Sequence, residues 1–138
     1  MASAKESNKR VLIVEDDKDF AALIESILNE EGYDTTVSFN GEDALDQVRF
    51  HPPDLVTLDI QMPRKSGLLF YREMKTDRRL RDIPVIVITG LTPGDRDMET
   101  VIRSFLEVDH LPSPESYIEK PFEREWLVQT VKEICPDV

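Results

Sequence analysis

The sequence predicts an α/β protein, a doubly wound five-stranded parallel sheet with helices on both faces. Short apolar runs rich in β-branched residues alternate with stretches of helical spacing, which is the signature of a parallel sheet with right-handed crossovers. The runs are continuously apolar rather than alternating, as expected of strands covered on both faces. A helix bundle with apolar loops is excluded, because the runs are too short and too regularly placed.

The first strand is Val11 to Val14, and it runs into Glu15-Asp16-Asp17. Phe20, Ile24, Ile27 and Leu28 then form one helical stripe. Asp34 to Val37 is the second strand. The helix after it has a thin stripe, Leu45 and Val48, but a good start signal: Asn40 as cap, with Glu42 and Asp43 in the first turn. Leu55 to Leu58 is the third strand and ends at Asp59. The basic cluster Lys75 to Arg81, interrupted by Asp77 and closed by Asp82, reads as the solvated end of a helix. Ile83 to Thr89 is the fourth strand. Thr92-Pro93 can start a fourth helix, whose stripe is Met98, Val101, Ile102 and Phe105. A weaker fifth strand, Ser116 to Glu119, precedes a last stripe of Trp126, Leu127, Val131 and Ile134, with Trp126 expected in the core. The sum is five β-α units with no repeat and no linker.

A chain of 138 residues suits one domain, and 40% hydrophobic residues supply a core. The formal net charge of -11 repels nucleic acid and anionic lipid, whose phosphates need clustered Lys and Arg. The single cysteine, Cys135, allows no disulfide or thiolate metal site within one molecule and fits a reducing compartment. The polar stretch Met1 to Arg10 is not a signal peptide, and no apolar run approaches the roughly 20 residues that cross a bilayer. A cytoplasmic protein, with neither nucleic acid nor membrane as partner, is expected.

Ligands of open α/β sheets bind at the carboxyl ends of the strands. Four of the five strands end in reactive groups: Glu15-Asp16-Asp17, Asp59, Thr89 and Lys120. If the first, third, fourth and fifth strands lie side by side, these groups face one shallow crevice. Each like-charge pair at about 4 Å would then cost roughly 4 kcal/mol at an effective dielectric near 20, and Lys120 offsets only part of that. Mg²⁺, which takes carboxylates, a carbonyl and waters, fits the remainder. The competing reading is that the acidic run only caps the first helix in solvent. A carboxylate beside a metal can attack phosphorus to form an acyl phosphate, a reaction that needs alignment and charge neutralisation above all. Lys120 would neutralise one oxygen of the moving group and the Thr89 hydroxyl would hydrogen-bond another.

The stretches Val11 to Asp17, Pro53 to Pro63, Ile83 to Gly90 and Tyr117 to Phe122 resemble the receiver domain of two-component response regulators. The resemblance spans residues 9 to 135, in the family's motif order. It implies a flavodoxin-like strand order 2-1-3-4-5, a flexible tail over residues 1–8, and a single receiver domain over 9–138 without an output domain. By position, Asp59 matches the phosphoacceptor. Asp16 and Asp59 match direct Mg²⁺ ligands, Glu15 a ligand through water, and Gln61 the residue whose backbone carbonyl binds the metal. Thr89 and Lys120 match the switch hydroxyl and the lysine, and Tyr117 the aromatic that turns inward on activation. The family often has a cis peptide at the position of Lys120-Pro121 and a small residue at that of Gly90. The implied partners are a histidine kinase or phosphotransfer protein and an unknown downstream protein, with the chain a monomer or a weak phosphorylation-dependent dimer.

Two departures from the family stand out. The stretch between Thr89 and Lys120 is long, with the excess in Leu106 to Glu115, read as a loop insertion in preference to a partner site. Leu91 is apolar where many relatives are polar; it is expected to hinder the hydrolytic water, so that Leu91→Glu shortens the acyl phosphate half-life. His51 and His110 are expected to face solvent, and Met62-Pro63 to serve loop geometry.

Three other functions compete. An Asp-nucleophile phosphohydrolase of the haloacid dehalogenase type needs a second Asp two residues after the nucleophile, where this chain has Gln61. A nucleotide or flavin module needs a glycine-rich phosphate cradle, where this chain has Glu-Asp-Asp-Lys-Asp. A degenerate scaffold needs no buried acid cluster.

Overall fold

Each apolar run becomes a strand in the computed structural model, which describes residues 8–60, 67–90, 103–104 and 106–136. The strands are β1 (Arg10–Val14), β2 (Asp34–Ser38), β3 (Leu55–Leu58), β4 (Val85–Gly90) and β5 (Ser116–Lys120). All neighbouring pairs are parallel, in the order β2-β1-β3-β4-β5. The expected order 2-1-3-4-5 is therefore the observed one. The helices are α1 (Lys18–Glu30), α2 (Gly41–Phe50), α3 (Gly67–Thr76) and α4 (Arg124–Ile134), and residues 103, 104 and 106–108 are also helical. The start signal Thr92-Pro93 and the stripe residues Met98, Val101, Ile102 and Phe105 lie outside the described residues.

Strand alternation sorts the core into two layers. Val11 and Ile13 of β1, Leu55 of β3, Ile86 and Ile88 of β4 and Ile118 of β5 pack with Ile24, Ile27 and Leu28 of α1 and Leu127 and Val131 of α4. Leu12, Val14, Val56, Leu58, Val85 and Val87 point the other way, against Ala44, Leu45 and Val48 of α2 and Phe70, Tyr71 and Met74 of α3. The thin α2 stripe suffices because Ala44 joins it and Asn40 Oδ1 accepts from Asp43 N at 2.9 Å.

The segment Leu106 to Glu115, expected as a loop, starts with helical residues 106–108 and packs down on the fold. Leu106 is buried and Leu111 packs on the α2–α3 layer. Tyr71 Oη donates to Pro112 O at 2.6 Å, and Arg72 pairs with Asp109 at 3.0 Å. Glu115 closes the segment onto β4: its amide donates to Val85 O at 2.9 Å, and its carboxylate accepts from Val85 N at 2.8 Å. Burial, with Glu115 and Tyr117 nearby, pushes the Tyr71 phenol pKa well up.

Two expectations are corrected. Lys75 is not at a solvated helix end. It is 5% exposed, its ammonium donates to Arg81 O at 2.9 Å and Ile83 O at 2.7 Å, and burial pulls its pKa down. Its aliphatic stem fills core space while its head finds carbonyls of the turn after α3. Trp126 is 43% exposed. One residue is about 100° of helix, so turning Leu127 inward leaves Trp126 at the flank. His51 and His110 are exposed as expected.

Candidate functional site

The carboxyl edge of the sheet is assembled by backbone ladders that continue past the strand ends. Glu15 N donates to Ser38 O at 3.0 Å and Asp59 N to Val14 O at 2.9 Å, so Glu15 and Asp59 leave adjacent strands at the same level. Register places Gly90 opposite Lys120 and Thr89 opposite Glu119. Order β1-β3-β4-β5 thus brings the first, third, fourth and fifth strand ends together.

Lys120 sits at the centre. Its Nζ lies 2.7 Å from Glu15 Oε1 and 3.1 Å from Asp59 Oδ2. Thr89 Oγ1 donates to the other Asp59 oxygen, Oδ1, at 3.3 Å. Glu15, Asp59 and Thr89 are buried, Asp16 is half-buried, and the Lys120 side chain is 11% exposed. Carboxylate oxygens of Glu15, Asp16 and Asp59 all lie within 4.8 Å of one another. Burial pushes the Glu15 carboxyl up to about 7; the Lys120 hydrogen bond opposes this and the Asp59 charge adds to it. Burial works against the Lys120 charge, yet the Glu15 hydrogen bond and the Asp59 and Glu15 charges outweigh it and raise its pKa.

The acidic run divides between its two sequence readings. Asp17 is the helix cap, Oδ1 accepting from Asp19 N at 2.9 Å and Phe20 N at 3.2 Å. Glu15 and Asp16 belong to the carboxylate cluster instead. Three hard oxygen donors at this spacing suit a small divalent cation such as Mg²⁺ and no soft metal. Gln61 and Leu91 lie outside the described residues, as do Met62 and Pro63.

Gly90 ends β4, and a Cβ there would meet nothing closer than Lys120 Cβ at 4.0 Å. Packing among the described residues therefore does not demand glycine. Tyr117 is half-buried on the α2–α3 side of the sheet, the side to which alternation along β4 also assigns Thr89. The Lys120-Pro121 peptide is cis.

Two residues escaped sequence reasoning. Phe20, taken for a stripe residue, presents its ring to Lys120 Nζ, 4.5 Å from the centroid. Gly67 opens α3 against the segment that carries Asp59: a Cβ there would lie well inside contact distance of Ile60 Cα and Asp59 O. Helical period hid the first, and one glycine in a lone sequence carries no signal for the second.

Comparison with known proteins bears on this edge. The family description "Response regulator receiver domain" matches residues 11–132. The chain is similar to the polar-differentiation response regulator DivK of Brucella anthropi, 37% identical over 94% of this chain and 98% of the relative. Among solved structures, a putative response regulator from Chloroflexus aurantiacus superposes with a TM-score of 0.80 at 27% identity, covering 92% of this chain and 97% of that one. The signal receiver domain of a histidine kinase from Syntrophus aciditrophicus gives 0.76 at 35% identity, covering 91% and 89%.

Proposed function

This chain belongs to the response regulator receiver domain family, and from that premise we propose that it is a phosphorylation-controlled switch whose acceptor is Asp59. The observation that carries the reading is the Asp59 carboxylate itself, one oxygen held by the Thr89 hydroxyl and the other by the Lys120 ammonium. A histidine kinase or phosphotransfer protein is the donor. An Asp59 oxygen attacks phosphorus, the O–P bond forms, and the P–N bond of the donor's phosphohistidine breaks. The electron pair goes to the imidazole nitrogen, which a proton from solvent neutralises.

Glu15, Asp16 and Asp59 would hold Mg²⁺, with the Gln61 carbonyl as a further ligand, and the ion would neutralise charge on the transferring group. The chain's own residues do the rest. Asp59 supplies the nucleophile at a fixed position, Lys120 neutralises a phosphoryl oxygen, and Thr89 donates its hydrogen bond to another. Phosphorylation adds about -1.5 to -2 charge. The Thr89 hydroxyl then leaves Asp59 Oδ1 for the phosphoryl group and Tyr117 turns inward. The exposed face around β5, α4 and the segment before β5 changes, and a downstream protein binds or leaves.

Incubation with Mg²⁺ and acetyl phosphate, followed by intact mass measurement, tests this. One phosphoryl adduct, labile to hydroxylamine and absent in Asp59→Asn, is the expected result. An adduct that persists in Asp59→Asn, or none at all, refutes the reading.

A further inference from the structure

Among the described residues the Lys120 ammonium meets two carboxylates and one ring, contacts that differ in kind. The carboxylates are Glu15 at 2.7 Å and Asp59 at 3.1 Å. The third is the Phe20 ring face, 4.5 Å from the ammonium. This is within the range of a cation–π contact, which strengthens when the cation is withdrawn from water, and the Lys120 side chain is only 11% exposed.

The ring is itself held from two sides. Its backbone amide donates to the cap residue Asp17 at 3.2 Å. Its ring packs on Phe122, with centroids 6.2 Å apart and planes at 44°. Phe122 follows Lys120 by two residues, so the aromatic pair joins the start of α1 to the chain leaving β5.

We propose that Phe20 is a positioning residue for Lys120, holding the ammonium at the rim through its ring face when the carboxylates are engaged elsewhere. This deepens the phosphoacceptor reading and rests on it. Glu15 and Asp59 are oxygen donors for which a divalent cation competes with Lys120, and Asp59 loses anionic character as it becomes an acyl phosphate. A hydrocarbon ring ligates no hard cation and takes no phosphoryl group. It is the contact that survives both events, and it keeps Lys120 facing the incoming phosphoryl oxygens.

The test replaces Phe20 with mono-, di- and pentafluorinated phenylalanine, which empties the ring face of negative potential at nearly constant size. The rate of adduct formation from acetyl phosphate and Mg²⁺ is expected to fall stepwise, by roughly threefold to thirtyfold in all. In a Lys120→Met background the same series should be flat. A second readout needs no phosphorylation: the Lys120 Hε protons carry an upfield ring-current shift in metal-free protein. Phe20→Leu abolishes it, and saturating Mg²⁺ leaves it in place. A rate independent of fluorination in the parent chain, or a ring-current shift that vanishes with Mg²⁺, overturns the proposal. If the unsubstituted protein takes no phosphoryl group, the phosphoacceptor reading fails, and the Lys120 spectrum still decides whether the ring holds the ammonium.

Discussion

Lys120 and Lys75 are both withdrawn from water, at opposite ends of the sheet, and their environments push them in opposite directions. Lys120, at the carboxyl edge, faces two carboxylates and an aromatic ring, and its pKa is raised although burial opposes it. Lys75, at the amino edge, also lies over a ring, 5.6 Å from the Tyr71 centroid, but it donates its hydrogen bonds to the carbonyls of Arg81 and Ile83. Burial lowers its pKa although the more distant Glu115 and Asp82 charges oppose this. Carbonyl dipoles satisfy donors without cancelling charge, whereas carboxylates do both. Depth of burial therefore does not mark a functional lysine; the charge of its partners does. One end of this molecule concentrates opposed charges, and the other spends a buried cation on tying α3 to the turn before β4.

The sharpest way to break this contrast is to remove each ammonium in turn. Lys120→Met is expected to slow phosphoryl uptake from acetyl phosphate by about a hundredfold or more, the usual effect of deleting one group that stabilises transition-state charge. Lys75→Met should leave that rate within about twofold, because nothing near it touches the site. It should instead lower unfolding stability by about 1 kcal/mol in urea titration, through two carbonyls left without their donor. A comparable loss of rate in both variants would dissolve the distinction.

Alkaline titration separates the two lysines further. A lysine with a lowered folded pKa binds fewer protons folded than unfolded. Its effect is a gain in stability as pH rises from that lowered value to the ordinary 10.5. Lys120 does the reverse: its stabilisation is full below 10.5 and is lost as pH climbs through its raised folded value. Subtracting the Lys75→Met stability curve from that of the parent should leave a rising slope below pH 10.5, and a falling or level difference would contradict the burial of Lys75.

A third contrast concerns Glu15. Its folded pKa of about 7 exceeds the ordinary 4.5, so its contribution is full below 4.5 and disappears as pH rises through 7. In metal-free buffer the parent should lose stability relative to Glu15→Gln across that window. Parallel curves for the two proteins would show that Glu15 ionises freely.

Much of the molecule is legible in its sequence, for physical reasons. β3 spans Leu55–Leu58 as read from the apolar run, because a strand covered on both faces is buried at every position, with the β-branched Thr57 accommodated inside it. Asn40 caps α2 as read, since capping is local chemistry. Trp126 and Lys75 were misread because side-chain identity predicts burial only on average. Which flank of α4 faces solvent, and whether a lysine stem reaches backbone carbonyls, depends on neighbours distant in the chain. Phe20 fits the period of Ile24, Ile27 and Leu28, yet it belongs to the first turn of α1, at the carboxyl edge beside Lys120.

The sequence alone determined the alternation of elements, and with it the parallel sheet and the edge where its reactive groups end. These follow from hydrophobic pattern and crossover handedness, which act locally along the chain. Only the tertiary structure decided that Asp17 caps while Glu15 and Asp16 cluster with Asp59. It alone put Thr89 and Lys120 on separate oxygens of one carboxylate, set Phe20 against Lys120, and required glycine at position 67. Those are distances of a few ångströms between residues far apart in the chain. They depend on strand register and on how each helix end meets the sheet, and neither is written in any single stretch of residues.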